Sequence, residues 1–219
     1  MKALYRLGWC SFRFLFAVYF RWRVYHPERV PRYGPVILAA NHASYLDPPL
    51  VGAAIHRDIH YLARASLFRL PGVGALLRAV NAVPVDRDGG AGGGRGLRVI
   101  LNRLAGGGGV ILFPEGTRTR DGRLQPPRSG IGLAVIKSDA PIVPVRTFGT
   151  YDAFSRHTRI PRPHRVAVKF GTPLRFELLR AEAKNCPKSR LKEIYQEVAD
   201  EIMSAIIRLE PCEDKTSFP

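Results

Sequence analysis

The chain of 219 residues is long enough for one ordinary domain or two small ones, and its 46% hydrophobic content is what a packed globular core needs. Lys and Arg number 34 against 18 Asp and Glu, and the net charge of +16 indicates attraction to anionic substrates or to a polyanion, for which nucleic acid and an anionic bilayer are the candidates. Cys10, Cys186 and Cys212 have no metal-type or redox-type spacing, which argues against a metal site and a closed disulfide framework and favours a reducing, cytosol-facing location.

The first 25 residues are predicted to form a helical segment that associates with a membrane surface. An apolar run from Phe14 to Phe20 is flanked by Arg13, Arg21 and Arg23. The run is too short for a spanning helix and lacks a small-residue cleavage site, so we expect neither a transmembrane helix nor a secretory signal. The arginines would reach lipid phosphates. The aromatic residues expected at the headgroup boundary are Trp9, Phe12, Phe14, Phe16, Tyr19, Phe20 and Trp22. A core helix with solvated arginines is the alternative.

Residues 26–219 are predicted to form a single layered α/β domain with a mixed central sheet flanked by helices, because short apolar runs alternate with helical patterns. The predicted strands are Val36–Ala40, Ile59–Ala63, Val83–Val85, Val110–Phe113, Ile142–Val145 and Val166–Phe170. The predicted helices are Pro48–Ile55, Val73–Val80, Leu97–Leu104 and Ile131–Ile136. The glycine-rich stretches Gly89–Gly96 and Gly106–Gly109 indicate flexible turns. An apolar stripe at three- and four-residue intervals predicts an amphipathic C-terminal helix over about residues 188–210, packed on the domain.

The first cluster of chemistry-bearing residues, Asn41 to Asp47, lies where a predicted strand hands over to a helix that opens with Pro48-Pro49. If the Asp47 carboxylate accepts one ring N–H of His42, it fixes the imidazole tautomer and leaves the other nitrogen free to take a proton from a hydroxyl. The spacing also fits a helix cap at Asp47 beside a surface histidine, and spacing alone favours this second interpretation.

The second cluster, Phe113 to Arg118, closes the strand that ends at Phe113. Arginine has a planar fork suited to a phosphate, and Glu115 could hold that fork or accept a substrate hydroxyl. Gly116 allows a sharp turn or a close approach of the backbone to a ligand. A turn with an ordinary surface ion pair is equally compatible with this pattern.

The two clusters occur in this order about 70 residues apart, and together they resemble the glycerolipid acyltransferase family, of the bacterial 1-acylglycerol-3-phosphate acyltransferase type. Asn41-His42-x-Ser44-x-x-Asp47 matches the first block of the family and Phe113–Arg118 its third. Val83–Arg87 matches the second block and Ala140–Val145 the fourth. The resemblance covers about residues 25 to 175.

This resemblance implies an enzyme that moves a fatty acyl group from an acyl thioester to the sn-2 hydroxyl of 1-acylglycerol-3-phosphate, giving phosphatidate in phospholipid biosynthesis. It implies that His42 is the general base and that Asp47 orients it. The residues expected to bind the acceptor or shape its pocket are Arg87, Glu115, Gly116, Thr117 and Arg118. No cofactor or metal is expected, since acyl-CoA or acyl carrier protein brings an activated acyl group. The expected location is peripheral, on an anionic surface at the cytoplasmic face of the cell membrane.

Other functions fit parts of the sequence less well. The basic stretch 146–180 has the charge to bind nucleic acid but no helix-turn-helix, zinc-finger or RNA-binding signature. No G-x-G-x-x-G can be written through Gly89–Gly96, and Ser44 lacks the G-x-S-x-G elbow of a serine hydrolase. A different lysolipid acceptor, or a non-catalytic lipid- or nucleic-acid-binding protein, remains the alternative.

Overall fold

The computed structural model describes residues 3–85 and 92–210, which form a seven-stranded sheet between two layers of helices. The strands are β1 Arg23–Tyr25, β2 Val36–Ala40, β3 Ile59–Arg64, β4 Ala82–Val85, β5 Gly109–Leu112, β6 Ile142–Phe148 and β7 Ala167–Phe170. The helices are α1 Ala3–Val18, α2 Asp47–Ala53, α3 Val73–Ala79, α4 Gly92–Ala105, α5 Gly130–Ile136, α6 Thr150–Phe154, α7 Glu177–Glu182 and α8 Lys188–Ile207. Short 3₁₀ turns cover Pro27–Arg29 and Ala65–Arg69.

The strand order is β1-β7-β6-β2-β5-β3-β4, and neighbouring strands are parallel except for the antiparallel pair β6 and β7. The expected mixed sheet is therefore confirmed. All five residues of the central strand β2 are buried, and they alternate between the two faces. Leu38 packs in the cluster that contains Phe16, whereas Ile37 packs in the cluster that contains Ile202. Because helices cover both faces, the strand is a continuous apolar run.

The layer formed by α4, α5 and α8 includes the predicted C-terminal helix. Ile194, Val198, Ile202 and Ile206 are fully buried along one side of α8, and the helix ends at Ile207 rather than near residue 210. Helix α5 lies so close to α8 that a Cβ at Gly132 would overlap the backbone oxygen of Tyr195. Glycine at this position therefore sets the spacing of the two helices.

The N-terminal helix α1 packs against α2 and α3, and this corrects part of the sequence prediction. Phe16 and Phe20 were expected at a lipid headgroup boundary, but both are buried in the core. Arg13 was expected to reach lipid phosphates. Its Nη1 instead donates to the backbone oxygen of Ala53 at 3.0 Å, and its guanidinium lies over the Trp9 ring. One side of α1 is thus an integral part of the domain.

The opposite side of α1 is apolar and exposed. The side chains that contribute to it are Leu4, Leu7, Phe14, Leu15 and Val18. Within the described residues, no helix combines the length and the apolar character that crossing a bilayer requires. Membrane association of this segment, and the division of the chain between residues 25 and 26, stay predictions.

Several elements differ from the sequence expectation. Arg23–Tyr25 were not predicted as a strand, but they form β1, which pairs in parallel with β7 at one edge of the sheet. Gly92 to Gly96 were expected in a flexible turn, whereas they begin helix α4; residues 89–91 lie outside the described residues. The buried stripe of Ile100 and Leu104 offsets the cost of about 1 kcal/mol that each helical glycine carries relative to alanine. Helices α6 and α7 were not predicted.

Candidate active site

The carboxyl ends of three neighbouring parallel strands, β6, β2 and β5, form one edge of the sheet, and both sequence clusters lie there. His42 and Asp47 follow β2, Glu115 and Arg118 follow β5, and Thr150 follows β6. Ligand sites of open α/β sheets lie at this edge because the loops that leave parallel strands converge there.

Asp47 is completely buried as the first residue of α2, and five donors surround its carboxylate. Its Oδ2 accepts from His42 Nδ1 at 3.0 Å and from the backbone N–H groups of Ala43 at 2.7 Å and Ser44 at 2.6 Å. Its Oδ1 accepts from the hydroxyls of Thr147 at 3.0 Å and Thr150 at 2.7 Å. A buried carboxylate is costly unless its oxygens are hydrogen-bonded, and this set of donors satisfies both oxygens of Asp47 as acceptors.

The same contacts determine the tautomer of His42. Because Asp47 offers only acceptor oxygens, Nδ1 carries the ring proton and Nε2 carries the lone pair. The ring stacks on Phe113 with centroids 3.9 Å apart and an interplanar angle of 19°, and its side chain is 14% exposed. Nε2 has no hydrogen-bond partner in the described parts of the chain. A fixed imidazole with a free basic nitrogen is the arrangement that general-base chemistry requires.

Glu115 ties the third block to the backbone of His42. Its Oε1 accepts from His42 N at 2.6 Å and its Oε2 from Gln125 N at 3.0 Å. On the other side of the residue, His42 O accepts from Thr119 N at 2.9 Å. Burial raises the pKa of Glu115 to about 7, although the two backbone N–H donors act in the opposite direction. Both carboxyl oxygens of Glu115 therefore accept hydrogen bonds from backbone N–H groups. A direct contact of Glu115 with substrate stays a prediction.

Arg118 extends from the same turn toward the loop that carries His42. Its guanidinium carbon lies 3.4 Å from the centroid of the Tyr45 ring. Its Nη1 is shielded from solvent and makes no hydrogen bond to the described residues. A shielded guanidinium N–H without an acceptor is costly, and an anionic ligand oxygen would supply the missing bond.

Of the remaining predicted site residues, the structure describes Gly116 and Thr117 but not Arg87. Gly116 has a φ of +71°, where glycine is favoured, and a Cβ there would lie 2.8 Å from Arg128 Cδ. Thr117 is exposed beside it. Arg87 lies outside the described residues. Among the residues that are described, no group of three or more His, Cys, Asp or Glu could hold a metal ion.

Sequence reasoning missed the contribution of β6 to this site. Asn41 Oδ1 accepts from Thr147 N at 2.7 Å, so an amide side chain continues the pairing of β2 with β6 beyond the strand end. Thr147 and Thr150 then present both hydroxyls to Asp47. The sequence did contain a signal, since a strand was predicted over Ile142–Val145 and the hydroxyl residues Thr147 and Thr150 follow it. Tyr45 carried no comparable signal.

A family model described as Acyltransferase matches residues 21–147, more than half of the chain and the part that holds both clusters. The chain belongs to the acyltransferase family. Among solved structures, it is similar to the 1-acyl-sn-glycerophosphate (LPA) acyltransferase PlsC from Thermotoga maritima, with a TM-score of 0.64 and 26% identity. That similarity covers 91% of this chain and 77% of the other.

Two curated relatives are named 1-acyl-sn-glycerol-3-phosphate acyltransferase. The Bacillus subtilis (strain 168) protein is 28% identical over 153 residues, which are 69% of this chain and 73% of the relative. The Limnanthes douglasii protein is 32% identical over 142 residues, which are 63% of this chain and 50% of the relative. This chain thus spans about half the length of that plant relative.

Proposed function

We propose that this acyltransferase moves a fatty acyl group from an acyl thioester to the sn-2 hydroxyl of 1-acylglycerol-3-phosphate. The observation that carries the proposal is the pairing of His42 Nδ1 with the buried Asp47 carboxylate at 3.0 Å, which leaves Nε2 basic. The names of the relatives from Bacillus subtilis and Thermotoga maritima support the choice of acceptor.

In the proposed reaction, His42 Nε2 takes the proton of the acceptor hydroxyl while the hydroxyl oxygen attacks the thioester carbonyl carbon. The tetrahedral intermediate then expels the thiolate, so that a C–O bond forms and the C–S bond breaks. The imidazolium returns its proton to the thiolate, and the products are phosphatidate and a free thiol. Asp47 stabilises the imidazolium while it carries the proton, because their hydrogen bond becomes charge-assisted at both ends.

The acceptor phosphate is assigned to Arg118, with Arg87 as a second cation. A guanidinium offers parallel N–H donors that match phosphate oxygens. Gly116 and Thr117 would line the pocket, since both are exposed at the turn that presents Arg118. Glu115 would act by holding this turn against His42.

The donor is acyl-CoA or acyl carrier protein, both anionic, and the net charge of +16 favours either one. No further cofactor is required because a thioester is already activated. The lysolipid would come from an anionic bilayer at the cytoplasmic face, to which the protein binds peripherally. The exposed apolar side of α1 supports this arrangement, since it includes Phe14 at 71% exposed and Leu7 at 64%.

The test incubates the purified protein with a panel of lysolipids and labelled acyl thioesters and identifies the lipid product. Replacing His42 by alanine should reduce turnover by about 10²- to 10⁴-fold, the usual contribution of a positioned base. The matched control is His56→Ala, because His56 is exposed and lies before the amino end of β3, away from the site. Retention of near wild-type turnover in His42→Ala would remove His42 from the mechanism. Another acylated lysolipid as the main product would reassign the acceptor.

A further inference from the structure

Tyr45 lies in the loop between His42 and Asp47, yet its side chain belongs neither to the proton-transfer pair nor to the core. The residue is 51% exposed, and the Arg118 guanidinium carbon lies 3.4 Å from its ring centroid. An aromatic face attracts a cation at this distance through the quadrupole of the ring. An exposed tyrosine is therefore in contact with the cation assigned to the acceptor phosphate.

The backbone around Tyr45 is bonded on both sides. Ser44 N donates to the Asp47 carboxylate at 2.6 Å, and Leu46 N donates to Ser44 Oγ at 3.0 Å. Ser44 Oγ in turn donates to the backbone oxygen of Phe154 at 2.5 Å, and the Phe154 ring packs against Tyr45 with centroids 5.4 Å apart. Tyr45 is thus a fixed platform, and the carboxylate that orients His42 is among the groups that fix it.

The Arg118 guanidinium lies over the Tyr45 ring at the end of a long side chain. Its chain neighbour Thr119 is bonded to the His42 carbonyl, which fixes the backbone but leaves a long and flexible side chain. The Nη1 atom has no hydrogen-bond partner in the described part of the chain, so hydrogen bonds leave that end of the guanidinium unrestrained. The Tyr45 ring contacts the face of the guanidinium, so it restrains the plane of this group without engaging the N–H donors at its edge.

We propose that Tyr45 is a positioning residue that holds the Arg118 guanidinium at a set distance from the His42 imidazole. The platform then selects acceptors whose phosphate lies close to the reacting hydroxyl over lysolipids without a phosphate. This inference rests on the proposed function, because it assigns the acceptor phosphate to Arg118. His42 and Tyr45 belong to one bonded loop, so the position of the base and that of the phosphate-binding cation are set together.

The test compares Tyr45→Leu, which removes the ring, with Tyr45→Phe, which keeps it. The matched control is Tyr33→Leu, because Tyr33 is 88% exposed in the loop before the amino end of β2. Binding of lysophosphatidate is measured by calorimetry without a thioester, and KM and kcat are measured for lysophosphatidate and for 1-monoacylglycerol. Thermal melts of each variant report whether the fold is retained.

Tyr45→Leu should raise the Kd and KM for lysophosphatidate by about 2- to 30-fold, the range of one cation–π contact, with a smaller change in kcat. Its kinetics with monoacylglycerol should match those of the wild type, and Tyr45→Phe and Tyr33→Leu should behave as the wild type with both acceptors. If Tyr45→Leu does not fold, Tyr45→Met replaces it. Should the ring-free variant bind lysophosphatidate as the wild type does, or should Tyr45→Phe lose as much, the inference is wrong. A wild-type protein that binds lysophosphatidate but transfers no acyl group would instead refute the proposed function.

Discussion

Replacing Asp47 by asparagine tests whether the charge of this residue, and not only its shape, matters for catalysis. Oδ2 of Asp47 accepts three N–H groups, whereas Oδ1 accepts only hydroxyls. An asparagine therefore has one favourable orientation, with its oxygen toward the N–H groups and its NH₂ toward Thr147 and Thr150. A hydroxyl can turn to accept, and the proton of Thr147 has a second acceptor in Asn41 Oδ1 at 3.2 Å. We expect the variant to fold and to keep the His42 tautomer.

What Asp47→Asn loses is the charge opposite the imidazolium. Exchanging a charge-assisted hydrogen bond for a neutral one costs about 1–3 kcal/mol, so kcat should fall by about 5- to 150-fold with little change in KM. The assay follows thiol release from the thioester in saturating acceptor, alongside a thermal melt. Asp152→Asn is the control, because Asp152 is exposed and pairs loosely with another histidine, with 3.9 Å between its Oδ2 and His164 Nε2. An unchanged kcat would refute the electrostatic role. A loss near 10⁴-fold would mean that the amide is reversed and the imidazole is in the wrong tautomer.

Two further predictions concern the buried carboxyl group of Glu115 and the exposed side of helix α1. Burial raises the pKa of Glu115 to about 7 from 4.5, so its contribution to folding is present at low pH and is lost as the pH rises through about 7. In urea unfolding, the free energy of unfolding of the wild type minus that of Glu115→Gln should fall by up to about 3 kcal/mol between pH 4.5 and pH 8. A difference that does not change with pH would contradict this prediction. Phe14→Ser should weaken binding to phosphatidylglycerol vesicles by about 10- to 100-fold, whereas Tyr33→Ser should not, and equal sedimentation of both variants would reject a membrane role for α1.

Much of the sheet could be predicted because its strands are short apolar runs between turn residues. Val36–Ala40 was predicted without error, since a strand covered on both faces has no polar residue to blur its ends. Strand β1 could not be predicted, because its three residues, Arg23 to Tyr25, join the sheet through pairing with β7, more than 140 residues away. Local pattern does not encode such a long-range pairing.

The candidate site divides in the same way. The pairing of His42 with Asp47 could be proposed because the two residues are five positions apart and meet within one loop. The hydroxyls that donate to Asp47 belong to Thr147 and Thr150, about 100 residues later in the chain, and only the order of the strands brings these residues close to Asp47. For α1, the arginine and aromatic pattern favours a lipid-facing segment over a core helix with solvated arginines. The domain itself supplies partners for Arg13, whose Nη1 donates to the Ala53 backbone oxygen and whose guanidinium lies over the Trp9 ring.

Helix α1 has one side in the core and the other exposed, which makes it a built-in part of the folded unit and not a tether. Phe16 stacks on Trp22 and lies in the same apolar cluster as Leu38 of the central strand. The exposed side of α1 cannot turn or slide without opening that cluster. A protein docked through this helix would face the bilayer at a single angle, and heating would release it from vesicles and inactivate it at the same temperature.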